Sequence, residues 1–528
     1  MPSPTEPTPA SSPLSSHASL RRRLAAVRTL PRRGRRRTHR ALWGMILGPL
    51  LAVLLYVALP PELAHDARLT AGVTTLMVTW WITQAVPIPA TALIPLVVFP
   101  VLTDTGMNTV GASYSSSVIF LFMGGFVLAL AMQRWHLHRR LALTTLRMVG
   151  TRPTMVVAGF MGATALLSMW VSNTATAVMM IPIGVSVLAL ANLPTTSSPN
   201  TASGHHHIPP ESNFGTSLVL GIAYAATLGS LTTIISTPPN ILLAGYLAEE
   251  YGITIGFGQW MLVGVPLSLV FLTITWFLLT KVLYPPEIRE IPGGDALIAT
   301  QLAELGPASS GEKRVTAVFA LAVASWVFLP LISRTVFEVD PPISDAGIAV
   351  SIALLLFILP AGRIGGPRLM DWETAVELPW GILLLFGGGL ALSAQFTASG
   401  LTDWIASKAS ALAGVPVPLM VFVVAGVVLV FSELTSNSAT AATFLPVAGG
   451  VALGLDINPL LLALPVAMAS TCSFMLPIAT PPNAIAYSSG YVSMGRMARA
   501  GFVLNLVSLT LVPLTVLTLA SWVFGISY

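Results

Sequence analysis

Two kinds of short segment hold the residue types that could do chemistry in an otherwise apolar chain. Ser172-Asn173-Thr174 and Ser436-Asn437-Ser438 are runs of hydroxyl and amide side chains. Thr237-Pro238-Pro239-Asn240 and Thr480-Pro481-Pro482-Asn483 each set a proline pair between a hydroxyl and an amide. Ser, Thr and Asn bond to nearby backbone in turns. Proline breaks a helix interior, but at the first helical position it lacks only a donor that would be orphaned anyway. A helix broken this way leaves free carbonyls on one side and free N–H groups on the other. Helix N-termini attract anions. Carbonyl and hydroxyl oxygens suit a hard cation such as Na⁺, by analogy with other hard cations. None of the four motifs holds Arg, Lys, His, Asp or Glu. An anion bound there has hydroxyls, amides, helix dipoles and a neighbouring cation for partners. The pattern points to cation-coupled anion binding.

The elements that must position these segments are membrane helices. Of 528 residues, 54% are hydrophobic and 9% charged, against about 25% charged in soluble domains. Apolar runs near the ~20 residues that span a bilayer begin near Ala41, Thr70, Thr91, Val118, Leu218, Met261, Val315, Gly347, Trp380, Pro459 and Gly501. Two further apolar stretches, 154–190 and 417–453, are interrupted near their middles by the Ser-Asn tips. The expected fold is all-α and polytopic, since a barrel would show ~10-residue alternating segments. The single cysteine, Cys472, excludes an intrachain disulfide and reads as a small packing residue.

Charge sets the threading. Ten arginines lie between Arg21 and Arg40. Such a run could bind nucleic acid, but it abuts the apolar span 41–59 and reads as a cytoplasmic anchor under the positive-inside rule. No nucleic-acid partner is expected. The Ser/Pro-rich tail 1–20 reads as disordered, with an organelle transit leader as the alternative. With the N-terminus inside, and both interrupted stretches entering and leaving on one face, most flanking positive residues fall on the cytoplasmic side. These are Arg134, Arg139, Arg140, Arg147, Arg152, Lys281, Arg289, Lys313, Arg314, Arg363, Arg368, Arg496 and Arg499; Arg334 and Lys408 are the exceptions. About eleven spans plus two re-entrant hairpins then put the C-terminus outside a plasma membrane.

The two halves repeat. LFMGGFVLAL (121–130) matches LFGGGLALSA (385–394), and SMWVSNTATAVMMIP (168–182) matches SELTSNSATAATFLP (432–446), both at an offset of 264. Leu137 and Leu401 keep that offset, whereas Thr237 and Thr480 are 243 apart. The difference fits a polar insert, 192–213, without counterpart in the second half. By the threading above the halves enter the membrane from opposite sides. An inverted repeat with broken helices is a mark of secondary transporters.

With these motifs in place, the sequence resembles the divalent anion:sodium symporter family, carriers of di- and tricarboxylates or sulfate. The resemblance runs from about residue 41 onward, through QAVPIPATALIPLVVFP (84–100), VSNTATAVMMIPI (171–183), STPPN (236–240), LPWGILLLFGGGLAL (378–392) and MLPIATPPNAIAYSSG (475–490). It implies a homodimer in lipid, with an elevator-like motion of a transport domain against a scaffold. The implied organisation is a disordered basic cytoplasmic arm 1–40, scaffold 41–135, transport part 153–283, cytoplasmic loop 284–314, scaffold 315–400 and transport part 415–528. Substrate would touch Ser172, Asn173, Thr174, Ser436, Asn437 and Ser438, with Thr237, Pro238, Thr480 and Pro481 completing the cup. One Na⁺ would sit by Ser168, Ser172, Asn173 and the Ser236 carbonyl, the other by Ser432, Thr435, Asn437 and the Ala479 carbonyl. Na⁺ is the coupling ion, and no organic cofactor is implied. The function implied is Na⁺-coupled symport of succinate, malate or fumarate; sulfate or citrate symport and Na⁺-independent exchange are the alternatives. Two departures stand out. Ser438 replaces the usual Thr, and Ser230, Thr232 and Ser236 stand where glycines are common.

The remaining polar residues carry less. All eight histidines, including the His205–His207 triplet, lie outside the expected spans. That argues against a metal site and against an intramembrane serine hydrolase at Ser172 or Ser436, so no enzymatic activity is expected. A channel is a further alternative. Gly124, Gly125 and Gly387–Gly389 read as close helix packing rather than phosphate loops. Glu433, within the second hairpin, is an intramembrane carboxylate and so a functional candidate, either tuning a cation or forming a structural pair.

Overall fold

The computed structural model describes residues 33–148, 150–191, 212–288, 290–291, 294–362 and 365–527. Arg21, Arg289, Arg363 and the His205–His207 triplet lie outside them. A helix begins near the start of each of the eleven expected spans. They are α1 (Arg33–Ala58), α2 (His65–Thr83), α3 (Ile88–Leu102), α4 (Ser117–Arg134), then a surface helix α5 (Leu137–Arg147). The first interrupted stretch is α6 (Pro153–Ser168) and α7 (Asn173–Ala191). Next come α8 (Asn213–Gly229), α9 (Pro238–Tyr251), α10 (Phe257–Phe277), α11 (Gly294–Glu304), α12 (Ser310–Thr335), α13 (Asp345–Ile358) and α14 (Trp380–Ala398). The second half closes with α15 (Leu401–Ala409), α16 (Val417–Leu434), α17 (Asn437–Gly454), α18 (Leu460–Thr471), α19 (Pro481–Ser488) and α20 (Met494–Thr515).

Seven helices among the described residues are long and apolar enough to cross a membrane by length and composition. Two of the other expected spans are interrupted by proline pairs. Pro238 and Pro239 open α9 and Pro481 and Pro482 open α19, so each span is split into two half-helices. α1 starts at Arg33, inside the stretch expected as a disordered arm. Arginine is a good helix former, and no proline follows Pro31 until Pro49, so the helix runs back into the basic segment.

The repeat is legible in backbone geometry. His136 (φ 56°) and Gly400 (φ 76°) both take the left-handed conformation, each immediately before a surface helix, and they are 264 apart. The hairpins α6–α7 and α16–α17 reverse through four and two residues, so their arms run antiparallel. Packing across the halves is reciprocal: α7 lies on α19 while α17 lies on α9, and α8 contacts α19 as α18 contacts α9. The Gly-rich matches serve close approach, as expected. A Cβ on Gly124 would stand 2.5 Å from the Ala349 carbonyl oxygen, and one on Gly388 would stand 2.3 Å from that of Ala92.

Several of the positive residues that flank the expected spans have partners in the fold. Arg140 pairs with buried Glu312, and Arg314 donates to the Pro360 carbonyl. Arg496 donates to Ser212 and Thr216 at the start of α8. Arg134 pairs with Asp371, which also accepts from the Thr374 hydroxyl (2.7 Å) and N–H (3.0 Å). The Thr374 bonds, with Arg134, hold the Asp371 carboxyl down at about 2. A depressed carboxylate stabilises the fold above its unfolded value of about 3.9, and that contribution is lost as pH falls through about 2. Asp371→Asn should therefore melt earlier than wild type in detergent at pH 7, with the gap closing toward pH 2.

Candidate functional site

Each break is braced in the same way. In the first, the Asn240 side-chain amide donates to the carbonyls of Ser230 (3.4 Å) and Thr233 (3.0 Å). In the second, Asn483 donates to Ser473 (3.1 Å) and Leu476 (3.2 Å). Both asparagines thus reach back over the same ten- and seven-residue spans. Both are fully buried, and their Oδ1 atoms have no hydrogen-bond partner among the described residues. The hydroxyls of the first break are internal staples: Ser230 donates to Thr227, Thr232 to Gly229, and Ser236 to Ser230 and Thr233 carbonyls. Thr237 and Thr480 are extended residues capping the half-helices, and both are buried. Two prolines at the head of each half-helix leave fewer N–H donors for an anion than a bare helix terminus would offer. The Asn483 N–H is taken by the Thr480 hydroxyl.

The second tip is an assembled cup of oxygens. Ser432 Oγ donates to Asn437 Oδ1 (3.0 Å) and to the Ser470 carbonyl (2.5 Å). Ser473 Oγ lies 3.0 Å from Ser432 Oγ and 3.3 Å from Asn437 Oδ1. Asn437 Nδ2 reaches the Thr471 carbonyl at 3.4 Å, tying hairpin to break. This all-oxygen set fits a hard cation. Thr435 is turned elsewhere, its hydroxyl bonding the Phe431 carbonyl and the Thr440 hydroxyl.

The first tip is less gathered. Ser168 donates to the Ala226 carbonyl (2.6 Å), tying α6 to α8. Asn173 Oδ1 accepts from the Thr174 N–H (2.8 Å), and Ser172 Oγ from the Ala175 N–H (3.3 Å). These side chains cap their own helix, and no bond joins them to Ser168 or Ser236. Ser172 is exposed, while Asn173, Thr174, Ser436, Asn437 and Ser438 are half-buried. Pro238 is half-buried and Pro481 exposed, whereas Ser236 and Ala479 are buried beside the capping threonines.

Two residues beside the second tip, Ser473 and Thr440, were not anticipated as site residues. Ser473 is 243 residues from Ser230, so the repeat offset could have found it. Thr440 matches Thr176 at the offset of 264 and could have been found in the same way, whereas Asn505, which bonds Glu433, carries no such signal. Glu433 is buried and has no ion-pair partner among the described residues. Its carboxylate accepts the N–H groups of Phe474 (2.7 Å), Met475 (2.9 Å) and Leu476 (3.3 Å), and the Asn505 side-chain amide (2.8 Å).

Comparison with known proteins agrees with this architecture. Residues 40–526 match the model of the sodium:sulfate symporter transmembrane region. The chain is 41% identical over 489 residues to the sodium-dependent dicarboxylate transporter SdcS of Staphylococcus saprophyticus, covering 92% of each. It is 42% identical over 487 residues to SdcS of Staphylococcus aureus strain USA300, again covering 92% of each. A crystal structure of the Alcanivorax borkumensis YdaH transporter, described as having an unusual topology, aligns at TM-score 0.54 with 16% identity, covering 92% of this chain and 99% of that one. At that identity the likeness is one of fold. With its motifs, its repeated hairpins and broken helices, and a family match over nearly its whole length, the chain belongs to the sodium:sulfate symporter family of membrane transporters.

Proposed function

We propose that this protein carries C4-dicarboxylates such as succinate, malate and fumarate across the plasma membrane together with Na⁺. The observation that carries the reading is the cup formed by Ser432, Asn437 and Ser473, held against the carbonyls of the second break. Its hydroxyl and amide oxygens carry no positive charge, so a bound cation would supply the charge that the motifs lack. The names of the relatives favour a dicarboxylate over sulfate. The hydroxyls and amides of Ser172, Asn173, Thr174, Ser436, Asn437 and Ser438 would hold the carboxylates. Thr237, Pro238, Thr480 and Pro481 would close the cup. Ser168, Ser172, Asn173 and the Ser236 carbonyl would hold one Na⁺; Ser432, Asn437 and the Ala479 carbonyl would hold the other, with Thr435 turning inward from its present bonds.

In this reading the hairpins and half-helices, within 153–283 and 415–528, move as one body against a dimeric scaffold of 41–135 and 315–400. The N-terminus is cytoplasmic and the C-terminus outside. Proteoliposomes without internal Na⁺ should take up labelled succinate when Na⁺ is added outside and fail to do so with choline. Equal uptake in choline would remove the coupling. Competition by sulfate or citrate, and counterflow from succinate-loaded vesicles, separate the alternative substrates and exchange.

A further inference from the structure

We propose that Glu433 is a positioning residue that makes the two cation sites unequal, a reading that rests on the Na⁺-coupled function above. The two halves invite a position-by-position comparison. At an offset of 264, the counterpart of Glu433 is Met169. At an offset of 243, the counterparts of Phe474, Met475 and Leu476 are Leu231, Thr232 and Thr233. In the first break the N–H groups of Leu231 and Thr232 bond to the carbonyls of Leu228 and Gly229 (3.2 Å each). The polar link to the hairpin there runs the other way, from the Thr233 hydroxyl to the Met169 carbonyl (2.6 Å). In the second break the Glu433 carboxylate takes all three N–H groups.

Two consequences follow. The first is geometric. With those N–H groups bound to the hairpin, the turn carbonyls that precede them are open to the hairpin's other side chains. Ser432 takes the Ser470 carbonyl and Asn437 takes that of Thr471. Asn437 Oδ1 is thereby presented to the Ser432 and Ser473 hydroxyls, whereas Asn173 Oδ1 is spent on its own helix. The second is electrostatic. The carboxylate is 6% exposed, adjacent in sequence to Ser432, and its four donors are all uncharged. A buried charge without an opposite partner is costly, and N–H donors offset only part of that cost. A cation in the neighbouring cup would supply the missing charge. The second site therefore binds Na⁺ more tightly than the first and is formed before substrate arrives.

Glu433→Gln keeps the side chain's size and removes its charge. Purified wild type in detergent, without substrate, should gain melting temperature on titration with Na⁺ against choline. In Glu433→Gln the Na⁺ concentration for half of that gain should rise about tenfold, as loss of a nearby charge screened by an intermediate dielectric implies. In proteoliposomes the half-saturating Na⁺ should rise in parallel, with the succinate KM at saturating Na⁺ within about twofold of wild type. Asn505→Ala removes a neutral donor and keeps the charge, so its half-saturating Na⁺ should stay within twofold even if the protein is less stable. Three results would overturn the inference: an unchanged Na⁺ midpoint in Glu433→Gln, an equal rise in Asn505→Ala, or a Glu433→Gln protein that does not fold beside an Asn505→Ala protein whose midpoint has risen. A wild type with no Na⁺-dependent melting shift and no Na⁺-driven uptake would instead sink the functional reading itself.

Discussion

Asn437→Ala should reduce Na⁺-driven succinate uptake to about 1% of wild type or less, while the protein still inserts and elutes as wild type does. The side chain is the acceptor shared by Ser432 and Ser473 and the donor to Thr471. Removing it opens the cup, takes away one of the links between hairpin and break and deletes one oxygen offered to a cation. A hundredfold loss corresponds to about 2.7 kcal/mol, in the range expected for two or three hydrogen bonds in a low-dielectric site. The fold should survive, because alanine is the best helix former and the first turn of α17 keeps its bond from the Thr440 N–H to the Ser436 carbonyl. Asn173→Ala should show a comparable loss of uptake by the reading of two matched tips. Labelled-succinate uptake beside a gel-filtration profile checks both, and wild-type uptake in either variant would mean the site lies elsewhere.

Gly501→Ala should be among the most destabilising single-methyl changes available. Gly501 lets α20 lie directly on the second break: a Cβ there would stand 2.4 Å from Met475 Cα and from the Phe474 carbonyl oxygen. Those are backbone atoms, fixed by Glu433 and Asn483, so they cannot yield as a side-chain end would. Gly264 plays the same part on α10, with its Cβ position 2.4 Å from the Leu231 carbonyl oxygen. Overpacking of this kind costs about 1–3 kcal/mol, several degrees of melting temperature. Helix propensity alone predicts the opposite sign, since Ala is favoured over Gly by about 1 kcal/mol. Gly495 on the same helix has open space around its Cβ position. Gly495→Ala should then be neutral or stabilising where Gly501→Ala melts early and loses uptake. Equal melting of the two variants would show that α20 does not bear on the break.

Much of the architecture was written in the chain itself. Spans follow from apolar runs because a bilayer forces backbone hydrogen bonding inward. Breaks follow from proline pairs because the missing donor and fixed φ act locally. The duplication follows from identical offsets, and it extends to backbone detail at His136 and Gly400. Local chemistry of this kind needs no knowledge of distant neighbours. What only the tertiary structure decided was the fate of individual polar atoms. Nothing in the sequence says that Glu433 would collect three N–H groups forty residues away, that Asn505 from the last helix would steady it, or that Thr435 would turn to Thr440 rather than to Asn437. Nor could it tell that the matched tips differ, one capping itself and the other joined to its break. Each of those outcomes depends on which donors and acceptors three-dimensional packing leaves unpaired, and a buried polar group bonds whatever partner is within reach.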